Sequence, residues 1–595
     1  MLRLQLVILL LFFVSNCCFS QIYSDRFQPD TIALHNPWTN LDFNKTDSSF
    51  QFAIISDLTG GYRKGIFPMA VPKIKSLYPE FVMSVGDLIE GYVEDSAQIL
   101  RWWNQFDGWV NELESPFFYV PGNHDLSNSM MTTYWKKRYG RTYYHFIYQN
   151  ILFLVLNTED GKPSHISKTQ VNYFKDVLKK YPAVDWTLLF FHKPLWMEEE
   201  TGLTAIEEAL QDRNYTVFAG HHHTYVKAQR FGRDYYKLGT TGGGSNLAGP
   251  AFGKIDHVAW VTMSADGPKV ANLTLNGILP DDMQTAESEP HAINFLRSTE
   301  ISHIPMLTAK DQLKQINTEI SFNNRGTSPL HVNGKFFQHP QFQLSLSTID
   351  TIIHAGEACR LPLNISIPEG ISPFSQDPVV LHWNMKSEAV GKVFEQSGNY
   401  ELEVLKIKKV KKATNNIVVD GKWDEWGETV FQEPSYLDYY PHTWKDASDC
   451  AMDLRYVHSD STLYLALYVV DDDPLYNPYR GSWEQDGAEL RIVLPNQKFI
   501  RLSFSPGNTP GDILLDRSQN WPESGQLTSL RTQDGFIAEL SVTLEDLDIL
   551  NEEKVTHFQL QCIVYDHDAM EDQYKGTKAF WQKQQPGSGT LEIIR

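Results

Sequence analysis

The sequence predicts a multidomain protein in which a layered α/β domain is followed by two all-β sandwich domains. Its 595 residues exceed what one hydrophobic core can serve, so three or four domains are expected. Residues 48–278 alternate apolar strand-like runs with helix-period segments, the pattern of an α/β layer structure. From residue 300 onward only short alternating runs remain, separated by Gly, Pro, Ser and Asn, as in all-β sandwiches.

The N-terminus has the shape of a secretory signal over residues 1–20. Arg3 supplies the positive start, Leu6–Val14 is an unbroken apolar run, and Cys18-Phe19-Ser20 offers a cleavage site before Gln21. That run is too short to span a bilayer, and no later segment is long and apolar enough, so no transmembrane segment is expected. Export to the periplasm or the extracellular space follows. Lipid anchoring at Cys17 or Cys18 is the less favoured reading, because Asn16 is unusual before a lipid-bearing cysteine.

Within 48–278, Phe52–Ile55, Phe81–Val85, Phe117–Val120, Thr187–Phe191 and Tyr215–Ala219 read as strands. Ala97–Leu113 reads as a helix whose Trp102, Phe106 and Trp109 form a core-facing stripe. Ser167–Lys180 is a second helix, capped by Ser167. His257–Met263 and Lys269–Leu275 read as closing strands. Residues 279–299 turn polar, with Pro280, Asp281, Asp282 and Pro290, and read as a linker. Residues 300–408 read as a small immunoglobulin-like β-sandwich serving as a spacer, Lys406–Lys412 as a solvated edge or linker, and 415–595 as the last sandwich.

Hydrophobic content of 42% with 13% aromatics indicates packed globular structure. The formal charge of −21 argues against a nucleic-acid-wrapping surface and against docking on anionic membranes. It does not argue against an anionic substrate, because bound cations reverse the local field. Beyond the signal only Cys359, Cys450 and Cys562 remain, too few for a disulfide framework. A Cys450–Cys562 bridge and two buried free thiols stand as equal readings.

The residues that carry chemistry fall where strands end. Ser56-Asp57-Leu58-Thr59 follows the first run, Gly86-Asp87 the second, and Pro121-Gly122-Asn123-His124-Asp125 the third. His192 and Gly220-His221-His222-His223 follow the last two. Strand C-termini are the usual ligand position in α/β sheets. Carboxylates, an amide oxygen and imidazoles gathered there suit a transition metal better than Ca²⁺ or Mg²⁺. Isolated histidines such as His145 and His165 read as structural, and so does His222, whose side chain would point away from those of its neighbours in extended chain.

This ordered set resembles the calcineurin-like metallophosphoesterase family, whose pattern is D-x-H, G-D, G-N-H-D/E, H and G-H-x-H. The resemblance covers the first half of the chain and implies a β-sandwich flanked by helices. It also implies one or two divalent transition metal ions, Mn, Fe or Zn. Asp87 would bridge two metals, Asn123, His192 and His221 would complete one, and Asp57 and His223 would serve the other. His124 would lie beside the substrate phosphate, protonating the leaving oxygen or stabilising charge on phosphorus, with Asp125 orienting its imidazole.

The departure is Thr59, which stands where the family carries the histidine of D-x-H. A hydroxyl is a poor replacement for imidazole, so the site served by Asp57 and His223 is expected to be weak, or filled only with substrate present. Tyr62 is a conceivable substitute, since purple acid phosphatases use a tyrosine here, though from another motif. The run Gly239-Thr240-Thr241-Gly242-Gly243-Gly244 lacks a following amphipathic helix and is no P-loop; it reads as a flexible loop bordering the site.

The last segment opens with Asp420-Gly421-Lys422-Trp423-Asp424-Glu425-Trp426 and continues with Trp483-Glu484-Gln485-Asp486-Gly487-Ala488-Glu489. These two stretches resemble family-nine carbohydrate-binding modules and related sugar- or haem-binding sandwiches, and the first resemblance implies a glycan or cell-surface polysaccharide as partner. Trp444, Tyr479, Trp483 and Trp581 are candidates to stack on sugar rings, with core packing the stronger reading for each. Asp471-Asp472-Asp473 reads as a solvated turn, with Ca²⁺ binding as the alternative. Together these readings describe an exported phosphoesterase that hydrolyses a phosphomonoester or phosphodiester with metal-activated water. The alternative is a decayed relative acting as a glycan-binding or surface protein.

Overall fold

The computed structural model of the protein describes residues 27–43, 49–274, 276–439, 444–472, 485–494, 499–507, 513–547, 555–568, 575–580 and 589–594. It divides into two units: residues 1–297 with 326–328 and 386–396, and the remainder. The signal-like segment lies outside the described residues. Among the described residues no helix is long and apolar enough to cross a membrane.

The first unit is built on strands β1 (Phe27–Pro29), β2 (Phe50–Ile55), β3 (Val82–Ser84), β4 (Phe117–Phe118), β5 (Tyr144–Tyr148), β6 (Ile151–Val155), β7 (Trp186–Phe190) and β8 (Tyr215–Ala219), followed by β9 (Val226–Arg230), β10 (Arg233–Lys237), β11 (His257–Ser264), β12 (Gly267–Thr274) and β13 (Ile278–Pro280). One sheet has the order β1-β5-β6-β7-β8-β10-β9 and the other β13-β12-β11-β2-β3-β4. In the second sheet β2, β3 and β4 run parallel. In the first sheet β6, β7, β8 and β10 do the same. Of these, β6 and β8 are buried along their whole length because both faces are covered.

Between the sheets lies an aromatic core. Phe153 sits 4.5 Å from Phe146, 5.5 Å from Phe81, 5.8 Å from Phe52 and 6.0 Å from Phe190, centroid to centroid. These residues come from both sheets, so their contacts hold the layers face to face.

Helices cover the outer faces. α1 (Ile66–Ser76) and α2 (Ser96–Glu112) lie on one side in sequence, then α3 (Ser129–Tyr139), α4 (Lys168–Lys180), α5 (Leu203–Leu210) and α6 (Glu289–Ser298). α2 starts where Asp95 accepts from the Ala97 and Gln98 N–H groups, and it buries Trp102, Trp103 and Phe106. Trp103, absent from the expected stripe, is fully buried, whereas Trp109 is only half-buried. α4 is capped by Ser167, whose hydroxyl accepts from the Gln170 N–H.

Residues 279–299, read from sequence as a linker, instead carry the end of β13 and helix α6. Their polarity misleads because the buried side chains are spaced apart among exposed ones: Met283, Gln284, Ser288, Ala292 and Phe295. The segment is pinned by Lys227, whose Nζ donates to Asp281 at 2.6 Å, and by Lys237, whose Nζ donates to Glu289 at 2.7 Å.

The second unit contains two β-sandwiches. In the first, the strands Gln315–Asn323 and Ala358–Ser366 pair antiparallel, as do Leu330–Phe336 and Thr348–Ile353 in the facing sheet. In the second, one sheet is centred on Val555–Asp568 and Gly487–Val493, the other on Thr462–Asp471 and Gly535–Thr543. The lysine-rich interval forms two exposed edge pairings, Lys408–Lys409 in one sheet and Lys411–Lys412 in the other, with Val410 buried between them.

In the two stretches that carry the C-terminal resemblance, Asp420, Gly421, Trp426 and Glu489 make structural contacts. Glu539 is fully buried and accepts from the Asp420 and Gly421 N–H groups and the Trp426 indole. Glu489, equally buried, holds Arg491, Arg501 and Tyr565. Trp444 donates its indole N–H to the Cys450 carbonyl and packs on the core, so it is no exposed stacking platform. Tyr479, Trp483 and Trp581 lie outside the described residues. Asp471 is no solvated turn residue: it is buried and its carboxylate meets those of Asp486 and Asp566 within 4.8 Å. Cys450 and Cys562 are buried free thiols.

The aromatic contact between the sheets generates a direct test. Phe153→Ala is expected to lower the unfolding free energy of the first unit by about 3–5 kcal/mol, read from chemical denaturation of the full chain.

Candidate metal centre

Five loops leave the C-terminal ends of parallel strands in the two facing sheets, and each delivers residues of the expected set. β2 leads to Asp57, β3 to Asp87, β4 to Asn123 and His124, β7 to His192, and β8 to His221 and His223. Asp57, Asp87, His221 and His223 all hold positive φ values, 33°, 56°, 75° and 49°. A non-glycine residue in that region costs about 1–3 kcal/mol and persists only where surrounding structure enforces it.

His192 is the hub. Its Nδ1 donates to the Val85 carbonyl at 2.9 Å, which turns Nε2 inward. There Nε2 meets Asp87 Oδ2 at 3.0 Å, Asn123 Oδ1 at 3.0 Å and His221 Nδ1 at 3.1 Å. Asn123 is oriented by its Nδ2, which donates to the Tyr92 hydroxyl at 3.0 Å, so its oxygen faces the hub. Four lone-pair atoms this close repel one another unless positive charge sits among them. The donor set of two imidazoles, a carboxylate and an amide oxygen fits a divalent transition ion. Asp87, His192 and His221 form a group able to hold a metal.

The electrostatics agree. Burial opposes charging His192, but Asp87 and Asp57 overcome it, and the imidazole is pushed up to about 9. A proton there does the work of a cation. Burial and the His192 charge push His221 down to about 3, leaving it unprotonated. Burial by itself would raise Asp87, yet His192 and His124 hold it well below the usual carboxylate range.

Asp57 and His223 form a second pole, with His223 Nε2 3.5 Å from Asp57 Oδ1. The Asp57 carboxylate also accepts from the His221 N–H at 2.8 Å and from the Ser56 hydroxyl. His223 Nδ1 donates to the Gly244 carbonyl at 2.7 Å. His222 is exposed between them. His145, away from these loops on β5, pairs with the Tyr173 hydroxyl at 2.6 Å.

Two expectations need correction. Asp125 does not orient His124. Its oxygens accept from the N–H groups of Asp87 (2.9 Å), Leu88 (2.9 Å), Ile89 (3.2 Å) and Gly122 (2.8 Å), so it ties the β3 turn to the β4 turn. Burial and the Asp87 charge push its carboxyl up to about 7, against the pull of the Gly122 and Leu88 N–H groups. The His124 imidazole is set instead by the Glu90 carbonyl, which accepts from Nδ1, and by Tyr92, whose ring meets it edge-on at 4.8 Å.

The glycine run is likewise no loose loop. The N–H groups of Thr241 and Gly243 and the Thr240 hydroxyl donate to the carbonyls of Ser56 and Asp57. Gly244 donates to the Gly60 carbonyl at 3.2 Å. At Gly243 a Cβ would stand 2.5 Å from the Thr59 carbonyl oxygen, which is why no side chain is possible there.

Glu90 and Tyr92 were missed in sequence. A carboxylate three residues after Asp87, in Gly86-Asp87-Leu88-Ile89-Glu90-Gly91, was the available signal. Thr59 is buried, and its hydroxyl donates to the Glu90 carboxylate. Tyr62 is turned elsewhere: its phenol hydrogen-bonds the Gly65 backbone, and burial raises it.

Asp125→Asn is expected to destabilise the chain by about 1–3 kcal/mol, because a side-chain NH₂ would face backbone donors. It should also weaken metal binding by about 10–100-fold, both measurable by calorimetry.

Residues 50–225 match the family model described as calcineurin-like phosphoesterase. No curated protein matches the chain. Among solved structures, a dimetal phosphatase from Danio rerio is similar at 14% identity, covering 39% of this chain and 98% of that one, with a TM-score of 0.30. A phosphoesterase from E. coli is similar at 12% identity, over 38% and 96% of the two chains, with a TM-score of 0.22. A family 9 carbohydrate-binding module from Caldicellulosiruptor kristjanssonii, in complex with cellotriose, is similar at 13% identity, over 31% and 94%, with a TM-score of 0.24. The family match covers the segment that holds Asp57, Asp87, Asn123, His124, His192, His221 and His223.

Proposed function

We propose that the protein is an exported, metal-dependent phosphoesterase that hydrolyses a phosphomonoester or phosphodiester, with its C-terminal sandwich binding glycan. The observation that carries the catalytic reading is the convergence of Asp87, Asn123 and His221 on His192 Nε2. These four residues would hold one divalent ion, and Asp57 with His223 would serve a second, Asp87 being shared. When bound, such ions neutralise phosphate charge and lower the pKa of water enough for attack near neutral pH.

The chain's own part in the reaction centres on His124. With Nδ1–H given to the Glu90 carbonyl, its Nε2 is directed into the site, 3.9 Å from Asp87 Oδ2. In the doubly protonated form it donates that proton to the leaving oxygen as the P–O bond breaks. Tyr92, half exposed, stands beside it.

Export is supported by the apolar run Leu6–Val14 and the small residues after it. Glycan binding is supported by the resemblance of the two C-terminal motifs to carbohydrate-binding modules. Thr59 favours the second reading, a decayed relative, and activity decides between them.

With added Mn²⁺ the protein is expected to hydrolyse p-nitrophenyl phosphate or bis(p-nitrophenyl) phosphate, and to stop on chelation. His124→Ala should lower kcat by about 10²–10⁴-fold while metal content stays unchanged. Turnover that survives chelation, or that His124→Ala leaves intact, would overturn the assignment. Retention of the full chain on insoluble polysaccharide, reversed by soluble oligosaccharide, is the expected sign of the glycan site; free passage would remove that part.

A further inference from the structure

We propose that Glu90 supplies the ligand that Thr59 lacks, completing the centre of Asp57 and His223 with a carboxylate in place of an imidazole. The inference rests on the metallophosphoesterase reading and names a residue outside the family pattern. Thr59 is 2% exposed, and its hydroxyl donates to Glu90 Oε2. A threonine hydroxyl plus one hydrogen bond spans about the reach of a histidine side chain. The Glu90 carboxylate is thus the group that meets the residue-59 side chain, at the position where the family pattern has an imidazole.

The chain at residues 59 and 60 borders the site. A Cβ built on the adjoining Gly60 would lie 3.3 Å from His223 Nε2 and 3.4 Å from His124 Nε2, so both imidazoles close over the 59–60 peptide. The main chain of Glu90 is fixed on the same wall, because its carbonyl accepts from His124 Nδ1. Among the described residues no lysine or arginine pairs with the Glu90 carboxylate, and its neighbour Thr59 is neutral. A half-buried carboxylate in that setting gains from a cation.

The substitution changes the chemistry of the centre. Asp57, Asp87 and Glu90 are hard oxygen donors, with His223 the one nitrogen. Carboxylate-rich sets suit Mn²⁺, whereas imidazole-rich sets suit Zn²⁺. The centre built on His192 and His221 keeps two imidazoles, so the two poles differ in metal preference.

The test is Mn²⁺ binding to the full-length chain, by calorimetry, by metal analysis after gel filtration, and by electron paramagnetic resonance. Wild type is expected to hold two ions with the spectrum of an exchange-coupled pair. Glu90→Gln, isosteric and still able to accept from Thr59, is expected to keep one ion and weaken the other by about tenfold or more, with a single-ion spectrum. Thr59→His placed on Glu90→Gln should restore the second ion. Two ions held by Glu90→Gln with wild-type affinity would overturn the proposal and leave the phosphoesterase reading standing. No ion in wild type, with His192→Ala indistinguishable from it, would overturn both. Should Glu90→Gln fail to fold, Thr59→His alone decides: a rise in Zn²⁺ over Mn²⁺ preference supports the proposal, and an unchanged ratio overturns it.

Discussion

The carboxylate of Asp125 accepts from N–H groups on both sides of a gap between two strand ends, and the arrangement of the site follows from that. Leu88, Ile89 and Asp87 on one turn and Gly122 on the other share it. With those turns joined, Asp87 faces His192 and Asn123 faces the same nitrogen. A buried carboxyl whose oxygens accept from main-chain donors sets positions more firmly than a side-chain pair, because those donors cannot change rotamer.

The rest of the centre is held by the same kind of bond. The Asp57 loop is fastened by the glycine run, the His124 ring by the Glu90 carbonyl, and His192 by the Val85 carbonyl. Four of the functional residues sit in left-handed backbone conformations, so the loops would relax elsewhere without these ties. The aromatic core between the sheets gives the rigid base against which that strain is held.

The metal-ligating candidates were legible because they follow apolar runs in a fixed order, and strand ends put such residues together. Helix α4 was legible to its cap, and α2 to within one residue at each end. What escaped had no local pattern. The Asp125 role depends on donors 36 to 38 residues away, and the glycine run acts on a loop more than 180 residues earlier. Glu90 and Tyr92 are invisible as site residues until the chain folds them over Thr59 and Asn123. Residues 279–299 were misread because polar composition conceals a helix whose few inward positions are widely spaced.

The fastening of the Asp57 carbonyl by Thr240, Thr241 and Gly243 also sets an order in time. During synthesis the first carboxylate leaves the ribosome long before the segment that holds it, by roughly ten seconds or more at ordinary elongation rates. Until then its loop has no reason to keep a left-handed turn. A nascent chain ending just before residue 240 thus carries all of the donors without the geometry, and the finished domain is what acquires the ion.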